Sequence, residues 1–153
     1  MIDSGELPRS SAPFADESFG AVMTSPCYGN RMADHHEARD GSRRITYKHT
    51  LGHDLVEGNA GAMQWGDAYR DLHCRAWIEA DRVLRSGGLL VVSVSNHIRR
   101  GRVQRVVEWH LETLLVLGLL VQAVEQIATP RMRFGANGSV RVGCEHLLIM
   151  RKP

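Results

Sequence analysis

Cysteine is scarce in this 153-residue chain. Cys27, Cys74 and Cys144 are odd in number, far apart in sequence and form no Cys-x-x-Cys motif. That argues against a disulfide framework and against a structural zinc site. Long apolar runs are missing too. None approaches the ~20 residues that a membrane-spanning helix needs, so no membrane partner is expected. Residues 1–11 lack the basic start and apolar stretch of a signal peptide, which leaves the cytoplasm as the expected compartment. A net charge of +2 is too small to argue for nucleic acid by itself, so the placement of charge carries more information than its sum. Repeats and low-complexity tracts are absent. What remains is an ordinary globular composition, 43% hydrophobic and 24% charged. One folded domain spanning residues 1–153 is expected.

The first eighteen residues are polar and turn-rich. Phe19-Gly20-Ala21-Val22-Met23-Thr24 then reads as a short strand, apolar without alternation, as in a strand covered on both faces; Pro26 ends it. Residues 29–66 read as a long basic loop with six glycines, and connections of that length tend to be functional. Tyr69, Leu72, Ala76, Ala80 and Val83 recur at helical spacing and predict a helix over 67–85 with one buried stripe, stopped by Gly87-Gly88. The run 89–95 is the strongest strand in the chain. A second helix is expected over 103–117, closed by Gly118. Strands follow at 119–127 and Cys144–Arg151. Strands alternating with helices predict an α/β fold with a mostly parallel sheet, its last two strands forming an antiparallel edge.

Ser25-Pro26-Cys27-Tyr28 sits where the first strand meets the loop, and ligands of open α/β sheets bind outside the carboxyl ends of strands. The stretch Thr24-Ser25-Pro26-Cys27-Tyr28-Gly29-Asn30-Arg31 resembles the base-binding motif of DNA methyltransferases that methylate an amino nitrogen. Those enzymes carry Asp, Asn or Ser, then Pro-Pro, then Tyr or Phe, and the serine form is typical of N4-cytosine enzymes. Two further stretches fit the family. One is the approach Phe14-Ala15-Asp16-Glu17-Ser18-Phe19. The other is Arg82-Val83-Leu84-Arg85-Ser86-Gly87-Gly88, which resembles the helix-to-strand passage of class I methyltransferases. The resemblance covers most of the chain and implies a partial class I, Rossmann-like sheet, mostly parallel with a C-terminal antiparallel strand.

The resemblance also implies a chemistry. An exocyclic amine is a poor nucleophile because its lone pair is delocalised into the ring. The Ser25 hydroxyl and the Pro26 carbonyl would accept its two hydrogens. Tyr28 would stack on the flipped base, which is worth roughly 1–3 kcal/mol. S-adenosylmethionine (SAM) would be the methyl donor, and catalysis would rest on positioning, with no metal. This sequence departs from the family at two points. Cys27 replaces the second proline, which would fix its own φ and restrict the residue before it. As a nucleophile Cys27 has no evident histidine partner. The other departure is the glycine-rich SAM turn, which is not found; Gly58-Asn59-Ala60-Gly61 follows no strand and reads as plain loop. The chain is therefore expected to be a base-binding half, a truncated form whose cofactor half precedes it in a longer protein, comes from a second polypeptide or has been lost.

Three basic groups are candidates for phosphate contact. The first is Arg31, Arg39, Arg43, Arg44, Lys48, His49 and His53. The second is Arg99, Arg100, Arg102 and Arg105, and the third Arg131 and Arg133. From these and the motif, Cys27, Asn30, Arg31, Arg43, Arg44, Arg99 and Arg100 are the expected substrate contacts, beside Ser25, Pro26 and Tyr28 at the chemistry. His35-His36 with Asp34 and Glu37 lack metal-ligand spacing and read as surface loop. Trp77, Trp109 and His110 read as packing residues, and Trp65 lies near a loop end. DNA is the expected partner. An RNA methyltransferase and a nucleic-acid-binding module without SAM remain open. The first strand would lose the neighbour that the missing half supplies, and a bare apolar edge invites pairing. A homodimer or a second polypeptide is therefore expected.

Overall fold

The computed structural model describes residues 14–27, 29, 51–130 and 142–153. Six strands are present among them: β1 (Phe19–Thr24), β2 (Leu84–Val94), β3 (His97–Arg99), β4 (Arg102–Gln104), β5 (Leu120–Ala128) and β6 (Cys144–Arg151). Two α-helices, α1 (Asp67–Val83) and α2 (Val106–Val116), connect them. The main sheet has the order β1-β2-β6-β5. β1 runs parallel to β2, while β6 is antiparallel to both β2 and β5. Three of the four strands therefore point the same way. Because β6 inserts between β2 and β5, only one of the three pairings is parallel. The expected mostly parallel sheet is thus a mixed one.

Both helices cover one face of this sheet. Leu90, Val92 and Val94 alternate inward along β2, opposite Leu148 and Met150 of β6. Trp77 and Ala80 of α1 and Val107 and Leu114 of α2 close over them. Each fully buried leucine contributes roughly 1.5–3 kcal/mol. The opposite face is apolar as well. Leu89, Val91, Leu147 and Ile149 are half-buried there. Met23, Leu120 and Ile127, on the same face by register, are exposed. Among the described residues no helix covers that face.

The stripe of α1 is shifted from the expected one. Tyr69, His73, Trp77 and Ala80 are buried, while Ala76 is exposed and Leu72 half-buried. A histidine inside the stripe hides it from a reading based on apolar residues alone. The helix also ends earlier, at Val83, and Gly87-Gly88 lie inside β2 rather than beyond a helix. Lys152 makes the stop. Its ammonium donates to the Asp81 and Leu84 carbonyls at 2.7 and 2.9 Å, a cation at a helix C-terminus as the macrodipole favours. At the other end of the chain, the approach to β1 docks on the same turn. Arg82 pairs with Asp16 at 2.5 Å and Glu79 at 3.0 Å and donates to the Phe14 carbonyl.

The helix expected over 103–117 starts at Val106, because residues 97–104 form the hairpin β3–β4. Arg100 and Gly101 take positive φ at its tip, 49° and 73°, as a two-residue primed turn requires. Asn96 caps the following helix. Its Oδ1 accepts from Val107 N at 2.8 Å, satisfying one of the N–H groups a helix start leaves open, and its Nδ2 donates to the Glu108 carboxylate at 3.1 Å.

Gly88 is the tightest of the glycines in the sheet. A Cβ there would stand 2.8 Å from the Arg85 carbonyl oxygen and 3.1 Å from that of Gly20, both backbone and unable to swing aside. Gly88→Ala is expected to lower stability by about 1–3 kcal/mol, read as a drop in thermal midpoint; an unchanged midpoint would show that the Arg85 and Gly20 carbonyls do not approach this closely.

Candidate functional site

β1 and β2 run parallel, so their carboxyl ends open on the same side. There β1 delivers Ser25-Pro26-Cys27 and β2 delivers Ser95-Asn96 and the hairpin. Ser25 is exposed, Pro26 and Cys27 half-buried, and Gly29 buried. The loop is held at two carbonyls. The Tyr69 hydroxyl donates to the Cys27 carbonyl, and the Trp65 N–H donates to the Gly29 carbonyl at 2.7 Å. Gly29 has φ 66°, and a Cβ on it would lie 2.9 Å from Trp65 N, so only glycine fits.

Behind the loop lies an aromatic and imidazole cluster. Tyr69, on the first turn of α1, is fully buried and stacks on His73 with centroids 3.9 Å apart. His110 of α2 is fully buried as well. Trp77 Nε1 donates to His110 Nδ1 at 3.1 Å. With Nδ1 an acceptor, the neutral ring carries its hydrogen on Nε2, which meets the Tyr69 hydroxyl at 3.1 Å. The bonds therefore run in one direction, from Trp77 through His110 and Tyr69 to the Cys27 carbonyl. Trp65 completes the wall, 5.2 Å from the Tyr69 ring and 5.6 Å from that of Trp109. Arg70 lies 5.2 Å over Trp65, a cation–π contact.

Of the expected site residues, Ser25, Pro26, Cys27, Arg99 and Arg100 are described. Arg99 joins the loop indirectly: its guanidinium donates to Gln64 Oε1 and, at 3.5 Å, to the Trp65 carbonyl. Arg100 is exposed at the hairpin tip. Tyr28, Asn30, Arg31, Arg43 and Arg44 lie outside the described residues, as do the His35-His36 pair and the Arg131 and Arg133 group. Arg105, expected among the phosphate candidates, faces Glu108 at 3.5 Å. Sequence reasoning passed over Tyr69, His73, Gln64 and Arg70 as site residues. Only Tyr69 carried a signal, as a helix position, and nothing in the sequence marks its hydroxyl as a partner for position 27.

The described residues do not fit a SAM cradle. Neither the turn after β1 nor the turn after β2 is glycine-rich, and the Val107 N–H in the first turn of α2 is engaged by Asn96.

No family model and no curated protein matches the chain. Solved structures do. A Thermus thermophilus protein described as "Putative DNA Modification Methylase", complexed with S-adenosyl-L-methionine, aligns at 21% identity with a TM-score of 0.59, over 92% of this chain and 50% of that one. A second structure of that protein aligns at 24% identity and TM-score 0.57, over 92% and 49%. The chain shares their fold. It spans about half the length of these structures.

The buried imidazoles make the site pH-sensitive. His110 is lowered from 6.5 to about 3, chiefly by burial and then by the neighbouring His73. Between those values the unfolded chain binds a proton that the folded chain refuses. The stability it contributes is complete above pH 6.5 and is lost as pH falls towards 3, at about 1.4 kcal/mol per unit. His73, lowered by burial, acts in the same direction. The thermal midpoint is expected to fall steeply between about pH 7 and pH 4, and His110→Gln to flatten that dependence. An equally steep profile in the variant would assign the effect to other groups.

Proposed function

We propose that the chain is the base-binding half of a SAM-dependent DNA methyltransferase acting on an exocyclic amino group, with N4 of cytosine favoured by Ser25. The observation that carries this reading is the position of Ser25-Pro26-Cys27 at the carboxyl end of β1, in a fold shared with structures described as a DNA modification methylase. In this reading the Ser25 hydroxyl and the Pro26 carbonyl accept the two amino hydrogens, which favours a pyramidal nitrogen with an available lone pair. Tyr28 stacks on the extruded base. SAM supplies the methyl group, and no residue described here is assigned to it.

The apolar face opposite the helices and the free side of β1 give the cofactor half a place to dock. β1 pairs on one side only among the described residues, and Met23 on it is 81% exposed. A bare apolar edge associates with whatever completes it. The isolated chain is expected to self-associate in sedimentation velocity, and Met23→Lys to shift it towards monomer with unchanged circular dichroism. A wild-type chain that sediments as a clean monomer would remove this surface from consideration.

DNA is the proposed partner, held over the loop by Arg99, Arg100 and the expected contacts Arg31, Arg43 and Arg44. Arg100 sits at an exposed hairpin tip, so Arg100→Gln should weaken binding evenly across sequences and reduce the slope of log affinity against log salt by about one. An unchanged slope would place the DNA elsewhere. The second reading, a nucleic-acid-binding module without methyl transfer, is favoured by the poor fit to SAM. Calorimetry with SAM and the isolated chain separates the outcomes. The half-enzyme reading predicts no binding alone and methyl transfer once a cofactor-binding half is added. Micromolar binding by the chain alone would overturn the division into halves, and DNA binding that no added half converts to methylation would favour the second reading.

A further inference from the structure

The loop that carries Ser25 and Pro26 lacks the second proline of the motif it resembles, yet its backbone is tied down. Cys27 has a free φ where a proline's is locked, and it leaves Pro26 before it less restricted. In the structure the Cys27 carbonyl receives the Tyr69 hydroxyl. The hydroxyl is itself fixed, because it takes the Nε2 hydrogen of His110 and so has its own hydrogen directed at Cys27. His110 in turn is fixed by Trp77, and the Tyr69 ring by His73, whose Nδ1 also donates to the Tyr69 carbonyl at 2.8 Å. No free rotor remains in the chain of bonds. On the other side of position 28, Gly29 is tied to Trp65, and Gln64 and Trp65 are tied to Arg99. The two residues flanking position 28 are therefore anchored to different elements, Cys27 to α1 and α2, Gly29 to the segment that the hairpin holds.

We infer that Tyr69 is a positioning residue whose hydroxyl, oriented by His110 and Trp77, substitutes for the backbone restraint of a proline at position 27 and holds the Ser25–Pro26 acceptors in register. The inference rests on the base-binding reading for its purpose, but the restraint itself is a property of the fold. A tether from a neighbouring helix can be loosened without changing the loop sequence. It also leaves an amide and a thiol at position 27 where a proline would leave neither.

The test is Tyr69→Phe, which keeps the ring and its stacking and removes only the hydroxyl. Two readouts are taken: hydrogen exchange at the Trp65 amide, compared with the β2 core amides, and affinity for a single-stranded oligonucleotide carrying 2-aminopurine. Exchange at Trp65 is expected to rise about tenfold, the weight of one ordinary hydrogen bond, with the β2 amides unchanged and oligonucleotide affinity lowered. Adding Cys27→Pro in the same chain is expected to restore both. A helix merely repacked by the loss of a hydroxyl would not be repaired by a proline distant in sequence. Unchanged exchange in Tyr69→Phe, or loosening that Cys27→Pro does not reverse, overturns the inference. Exchange that behaves as expected while even the wild-type chain fails to bind the oligonucleotide confirms the tether and sinks the base-binding reading instead. If Tyr69→Phe does not fold, Trp77→Phe removes the bond that fixes the His110 tautomer. It should loosen Trp65 in the same way, and no loosening there would equally overturn the inference.

Discussion

One buried chain of hydrogen bonds joins the parts of this molecule that matter to its site. Trp77 and Tyr69 come from α1, His110 comes from α2, and the last acceptor is a carbonyl just beyond β1. A polar group buried without a partner costs about as much as several buried methylenes contribute. These groups therefore stabilise the fold only while every member is satisfied. The neutrality of His110 follows from the same constraint. A proton on Nδ1 would place two donors face to face with Trp77, in a buried pocket that disfavours the charge. The helices, the β1 loop and the protonation state are thus set together.

The sheet divides the labour between its two faces. One is closed by both helices and holds the core, with Leu90, Val92, Leu148 and Met150 at its centre. The other carries apolar residues that the described part of the chain leaves half-buried or exposed. The matched structures are about twice as long as this chain. The candidate site lies at the carboxyl ends of β1 and β2, with the loop after β1 held from the side of the helices by Tyr69.

Much of this was legible in the sequence, unevenly. β1 and β6 fall at the limits their apolar runs predicted, bounded by Pro26 and by Cys144, but β1 is not the strand covered on both faces that its run implied: none of its residues is buried among the described residues. The hairpin was not legible: strands of three residues with Arg100-Gly101 between them carry too little pattern, and Val103 joined the helix reading by default. The α1 stripe was read one step off because His73 and Trp77 bury polar atoms, and a polar residue inside a buried stripe breaks the apolar pattern. The position of β6 between β2 and β5 is a long-range choice that no local pattern encodes. The motif at Ser25 was readable as a string. Its tether was not, since Tyr69 and Cys27 are 42 residues apart and a tyrosine on a buried stripe looks like packing alone.

The central claim is that the loop after β1 receives a base. The most direct test is photocrosslinking of the chain to single-stranded DNA carrying a photoreactive pyrimidine, with the adducts located by mass spectrometry. Adducts are expected on the peptide that holds Ser25, Pro26 and Tyr28, with Trp65 as the next site, and they should disappear under competition by unlabelled DNA. Adducts confined to β5 and the outer face of α2, with none at the loop, would contradict the claim.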